Sequence, residues 1–154
     1  MIRKSTAQWQ GDGPHGKGTL STQSGALQSL PYSFQTRFQS EDGKAGTNPE
    51  ELLAAAHAGC FAMSVSFALT KAEHPPEELR VTAGVDIVKT DVGFVIKTIH
   101  LDLEAKVSGI DAATLDKIAE DAKKGCPLSK ALAATPITVS AKLVDRGHSP
   151  MPLQ

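Results

Sequence analysis

With 154 residues, 40% hydrophobic and 21% charged, the chain has the length of one domain and the composition of a soluble globular protein, not of a disordered or fibrous one. A net charge of −1 leaves no electrostatic case for nucleic acid or an anionic membrane surface as partner. The first ten residues carry no apolar run behind their basic side chains, so no secretory signal is expected and a cytoplasmic, reducing compartment is the default.

In chain order, residues 1–40 read as strands. Tyr32, Phe34, Thr36 and Phe38 alternate with Ser33, Gln35 and Arg37, the period of a half-buried strand. Upstream, Gly11-Asp12-Gly13-Pro14-His15-Gly16 satisfies G-x-G-x-x-G, and the run on to Lys17-Gly18 comes close to a phosphate loop. Both motifs require a following helix to present its amides to phosphate. Thr19 to Gly25 reads instead as strand and turn, which favours a glycine-rich hairpin loop. Gln39 to Gly46 is a polar loop. A helix then starts at Asn48 as N-cap, with Pro49 in the first position and Glu51 in the third. From Leu52 to Leu69 it is apolar nearly all round, the mark of a buried helix. It is slightly short for a membrane span and carries His57 near its middle.

His74-Pro75-Pro76 closes that region. Val81 to Ile87 and Ile99 to Val107 alternate on either side of a turn at Asp91-Val92-Gly93, which predicts a hairpin. Asp111 caps a second helix that ends in Lys123-Lys124-Gly125. Cys126-Pro127 opens a short third helix reaching about Ala134, and Ile137 to Leu143 makes a last strand. The tail from Asp145 to Gln154 holds two prolines and little apolar surface, so it is expected to be mobile.

The chain has two cysteines, Cys60 and Cys126, outside any Cys-x-x-Cys motif. In a reducing compartment they read as thiols or a transient redox pair, and a structural zinc site is not expected. A cysteine in a buried helix, such as Cys60, ordinarily serves as small apolar filler; burial alone raises its pKa. Cys126 sits at a helix N-terminus, which lowers a thiol pKa, so local chemistry alone favours Cys126 as the thiolate. Arg37 reads either as a solvated surface cation or as a functional one. Glu51 is explained as the capping partner of Asn48, which leaves Glu50 the freer candidate. His57, three residues before Cys60, reads more simply as a core histidine than as a base, because no carboxylate at helical spacing would orient it.

Four stretches together resemble the OsmC/Ohr family of organic hydroperoxide reductases, the OsmC branch more closely. These are Thr36-Arg37-Phe38, Gly46 to Leu52, Ala54 to Phe61 and Lys124-Gly125-Cys126-Pro127. The similarity runs over about residues 5–144 and implies a single α+β domain, with antiparallel sheets around a long buried central helix. By this resemblance Cys60 is the peroxidatic thiolate and Cys126 the resolving thiol. Arg37 lowers the pKa of Cys60 and polarises the peroxide, and Glu50 holds the guanidinium. The Ohr branch carries its arginine in the N-terminal loop; here that loop offers only Lys17, and the role falls to Arg37. The implied substrates are organic hydroperoxides, with hydrogen peroxide a poorer one. The implied reductant is an external dithiol, lipoyl in the Ohr branch, with no metal, haem or flavin.

Glu50 and Cys60 are ten residues apart, about 15 Å along a helix. One arginine cannot serve both within a chain unless the helix breaks, so an intertwined homodimer with shared sites is expected. Two other readings use the same fold: a non-enzymatic module that binds a small hydrophobe near Cys60, and a thiol redox sensor acting through a partner.

Overall fold

The computed structural model describes residues 1–144; the tail expected to be mobile at 145–154 lies outside the described residues. The chain divides into two compact units, one ending at Leu52 and one beginning at Leu53.

In the first unit, β1 (Ser5–Gln10), β2 (Lys17–Thr22) and β3 (Leu30–Ser33) form an antiparallel meander in the order β1-β2-β3. The glycine-rich stretch is the β1–β2 turn, and a strand follows it, as its context required. A Cβ on Gly18 would meet the rings of Tyr32 and Trp9, which pack at 5.4 Å between centroids. The glycine permits a close aromatic contact.

The expected strand across residues 32–38 is overturned. β3 ends at Ser33, and Phe34–Phe38 form a short helix, α1. The Ser33 hydroxyl accepts from the Thr36 amide at 3.2 Å, and the Thr36 hydroxyl accepts from the Ser33 amide at 2.9 Å. This reciprocal capping box satisfies two amides and starts the turn. Phe34 and Phe38, which also fitted an alternating pattern, are i,i+4 neighbours with ring centroids 5.0 Å apart.

Helix α2 (Pro49–Lys71) starts at the expected position with Asn48 as its cap, but the Glu51 side chain engages Thr47 in place of Asn48. The Glu51 amide donates to Asn48 Oδ1 at 2.8 Å, while the Glu51 carboxylate accepts from the Thr47 hydroxyl at 2.7 Å. Most of α2 belongs to the second unit. There β4 (Glu78–Thr90) and β5 (Gly93–Lys106) form a long hairpin around a two-residue turn at Asp91-Val92. Gly93, at φ 119°, supplies the left-handed backbone that follows the turn. Helices α3 (Ala112–Gly125) and α4 (Pro127–Ala131) carry the chain back to β6 (Ile137–Leu143). Asp111 caps α3 by accepting from the Thr114 amide at 2.8 Å, and α4 is a turn shorter than expected. β6 lies parallel to β5, so the second sheet is mixed, not antiparallel throughout. A helical crossover returns the chain to the end of the sheet where β5 began, and a strand entering there runs parallel.

The core of this unit follows from two periodicities. Ile99, Leu101, Leu103 and Ala105 alternate along β5, and His57, Phe61, Val65 and Leu69 recur every fourth residue of α2. All are fully buried, together with Leu115 and Ala119 of α3. Each large apolar side chain in this set contributes about 1.5–3 kcal/mol. The helix is apolar and long enough to cross a membrane by composition alone, but it lays this stripe into the sheet core. All-round burial of α2 is not met within one chain. Met63 and Phe67 are 63% and 71% exposed, because a helix on one sheet face is covered on one side only.

Candidate active site

The four candidate residues fall into two contacting pairs, one in each unit. In the first unit, the Arg37 guanidinium grips the Glu50 carboxylate. Nη2 donates to Oε1 at 2.7 Å, and Nε donates to Oε1 and Oε2 at 3.2 and 3.1 Å. Arg37 is therefore carried on a helix whose start is fixed by the Ser33–Thr36 box, not on a strand. Glu50 is 8% exposed. A carboxylate so enclosed needs a cation, and the forked geometry fixes the guanidinium plane. The guanidinium carbon also lies 4.7 Å from the centroid of the Phe38 ring. Beside the pair is a cavity of about 400 Å3 lined by Trp9, Pro14, Tyr32, Phe34, Arg37 and Phe38. Its walls are mainly aromatic, with Arg37 and Ser33 among the polar side chains that line it.

In the second unit, Cys126 Sγ lies 3.0 Å from Cys60 Sγ, and both are free thiols. A disulfide at about 2.05 Å is a small movement away. Cys126 is fully buried and Cys60 half-buried, so a reagent from solvent meets Cys60 first. Burial pushes the Cys60 thiol up, and so does its hydrogen bond with Cys126; the Leu128 amide opposes them. Burial also pushes Cys126 up, but the Cys60 hydrogen bond, the Ser129 amide and hydroxyl and the Leu128 amide together bring it below its ordinary value. Cys126 caps α4 without a strict capping hydrogen bond, so these amides act on the sulfur as dipoles. The local chemistry of this unit thus favours Cys126 as thiolate, as its helix-terminal position predicted.

Helix α2 runs without a break from Pro49 to Lys71, so Glu50 and Cys60 stay ten residues apart on one continuous helix, about 15 Å along its axis. The alternative of a broken helix falls.

A family profile described as "OsmC-like protein" matches residues 41–142. The chain belongs to the OsmC-like family. Among relatives of this OsmC-like chain, the "Peroxiredoxin OsmC" of Escherichia coli K12 is 50% identical over 132 residues, covering 86% of this chain and 90% of that protein. The "Organic hydroperoxide resistance protein OhrA" of Bacillus subtilis is 34% identical over 85 residues, covering 55% of this chain and 59% of that one. The fold is that of OhrB of Bacillus subtilis, at TM-score 0.71 and 23% identity over 94% of this chain and 98% of that one. An OsmC-like protein of Mycoplasma pneumoniae matches at TM-score 0.71 and 16% identity, over 94% and 99% of the two chains.

One polar residue of this OsmC-like chain escaped the reading of its sequence. Ser129 is 7% exposed, and its hydroxyl lies 2.8 Å from His57 Nε2. His57 does sit in the core, as expected, but it has an orienting partner from α4, 72 residues away. The available signal was the run Cys126-Pro127-Leu128-Ser129, which puts a hydroxyl at the third helical position, one turn from the sulfur. The aromatic cavity was missed because its walls come from four separated segments.

Proposed function

We propose that this protein is a cysteine-based peroxidase that reduces organic hydroperoxides, and less efficiently hydrogen peroxide, to alcohols or water. The observation that carries the reading is the 3.0 Å approach of a half-buried to a fully buried free thiol, in a chain half identical to a protein named a peroxiredoxin. The Cys60 thiolate attacks one peroxide oxygen. The O–O bond breaks, the alkoxide takes a proton and leaves as alcohol, and Cys60 becomes a sulfenic acid. Cys126 attacks that sulfur, the S–O bond breaks, and hydroxide leaves as water after taking up a proton. An external dithiol, a lipoyl group being the candidate, reduces the Cys60–Cys126 disulfide by exchange. No metal or organic cofactor enters the cycle, and the cytoplasm is the compartment whose thiol poise suits it.

The first step needs a cation at Cys60, since burial raises that thiol. In this reading Arg37, fixed by Glu50, supplies it and polarises the peroxide. The uninterrupted α2 supports a homodimer in which the Arg37–Glu50 pair of one subunit serves the thiols of the other. A binding module would need an apolar cavity but neither two touching thiols nor a clamped arginine. A redox sensor would form the same disulfide without turnover. Consumption of cumene hydroperoxide with dihydrolipoamide tests the reading. Wild type is expected to turn over many equivalents and Cys60→Ser none, while Cys126→Ser stops after one equivalent as a sulfenic acid. Full turnover by Cys60→Ser would refute the mechanism.

A further inference from the structure

The reaction above assigns no task to the buried pair His57–Ser129, although it adjoins the buried thiol. His57 is fully buried. Its Nε2 lies 2.8 Å from Ser129 Oγ, and its Nδ1 is buried with no hydrogen-bond partner among the described residues. That asymmetry selects the tautomer. A proton on Nδ1 would leave an unpaired N–H donor in the core, which proteins avoid more strictly than an unpaired acceptor. The proton therefore sits on Nε2, and Nε2–H donates to the Ser129 oxygen. A hydroxyl has one proton of its own, and with its oxygen already accepting from His57, that proton is free to point at the Cys126 sulfur. Ser129 stands at the third position of α4, the helix that Cys126 caps, and its hydroxyl is among the groups that draw the Cys126 thiol down. Burial holds the imidazole pKa down, which keeps His57 neutral and in this role at neutral pH.

We propose that His57 and Ser129 form a one-way donor chain, Nε2–H to Oγ–H to Sγ, that stabilises the Cys126 thiolate for the resolving step. Ser129 touches the reacting sulfur; His57 acts through it as a positioning residue. The assignment rests on Cys126 being the resolving thiol. The proton released when Cys126 ionises is matched by the one the departing hydroxide takes up, so the step is balanced without a net change at His57. Besides Cys60 and the Leu128 and Ser129 amides, the Ser129 hydroxyl is the one side-chain donor among the described residues that draws Cys126 down. Lys123, one turn before it on α3, is engaged by Glu120 at 2.7 Å and by the Ile137 carbonyl at 3.3 Å.

The test separates this chain from the peroxidase reading. In a Cys60→Ser background, thiolate absorbance near 240 nm titrates Cys126 alone, with no peroxide present. Ser129→Ala in that background is expected to move the Cys126 midpoint up by about one pH unit, the worth of one charge-assisted hydrogen bond. His57→Leu is expected to move it in the same direction, while Ser129→Thr and His57→Gln, which keep the donors, restore it. In the two-cysteine protein, stopped-flow oxidation followed by dimedone trapping should show the Cys60 sulfenic acid forming at the wild-type rate in Ser129→Ala. Its conversion to disulfide should slow about tenfold at pH 7. An unchanged Cys126 midpoint in folded Ser129→Ala and His57→Leu overturns the donor chain. If instead wild type never forms a sulfenic acid, the peroxidase reading fails while the titration still decides the chain.

Discussion

The two sulfurs differ more by surroundings than by identity. Within its own unit Cys60 is pushed up by burial and by Cys126, whereas Cys126 is drawn down by Cys60 and by the start of α4. For Cys60 to attack, a cation has to reverse that order, and Arg37 is the one whose guanidinium is pinned in a plane by a buried carboxylate. The pH dependence follows with a definite sign. The reactive form is the thiolate, so removing the cation raises the Cys60 pKa and displaces the rise of peroxide consumption toward alkaline pH. Arg37→Met is expected to lose between about tenfold and a hundredfold in rate at pH 7, one to two pKa units' worth, and to recover much of it above pH 9. Arg37→Lys keeps the charge but not the fork, and falls between. Stopped-flow rates of the first oxidation against pH measure this; a loss that is the same at every pH would assign Arg37 to peroxide binding instead. The roles proposed for these residues came from the sequence only through a resemblance, because residue type and position favoured Cys126 and left Arg37 open between a surface cation and a functional one.

Among the elements, those with one strong period were legible. The alternation of β5, the turn at Asp91-Val92-Gly93, the Asn48-Pro49 start of α2 and the Asp111 cap all state their structure locally. The element that misled was α1. Tyr32, Phe34, Thr36 and Phe38 alternate, yet Phe34 and Phe38 also satisfy the i,i+4 spacing of a helix, and over five residues the two patterns coincide. What decides is Ser33-x-x-Thr36, a capping box with threonine where glutamate or glutamine is usual. The parallel entry of β6 was equally hidden, since strand direction depends on where the crossover lands. The box matters to the site because it orients the helix that carries Arg37. Ser33→Ala is expected to cost about 1 kcal/mol, read from urea unfolding followed by Trp9, the only tryptophan, which packs on Tyr32 in the same unit. A change well below that would mean α1 is held by its aromatic contacts instead.

At the scale of the whole molecule, the composition of α2 and its burial disagree in an informative way. The helix is apolar on all sides, but one chain covers only the stripe through His57, Phe61, Val65 and Leu69, and Met63 and Phe67 stay open. An apolar strip of that kind on the longest helix is what a second copy would cover. The same helix also keeps Glu50 and Cys60 about 15 Å apart along its axis, so in the proposed dimer the second subunit would supply the cation at Cys60. This makes a quantitative prediction for mixed subunits. One variant, Arg37→Met with Glu50→Ala, has intact thiols and no clamp; another, Cys60→Ser, has an intact clamp and no nucleophile. Alone at pH 7, the first is expected to keep at most about a tenth of wild-type turnover and the second none. After random exchange about half the dimers are hybrids, and in each hybrid one of the two shared sites combines an intact clamp with intact thiols. Peroxide turnover should therefore return to about one quarter of wild type. A site built within one chain would give no recovery at all, because every chain in the mixture lacks one half of it. Met63→Lys with Phe67→Asp should prevent the recovery by separating the subunits, which light scattering at the assay concentration would register directly.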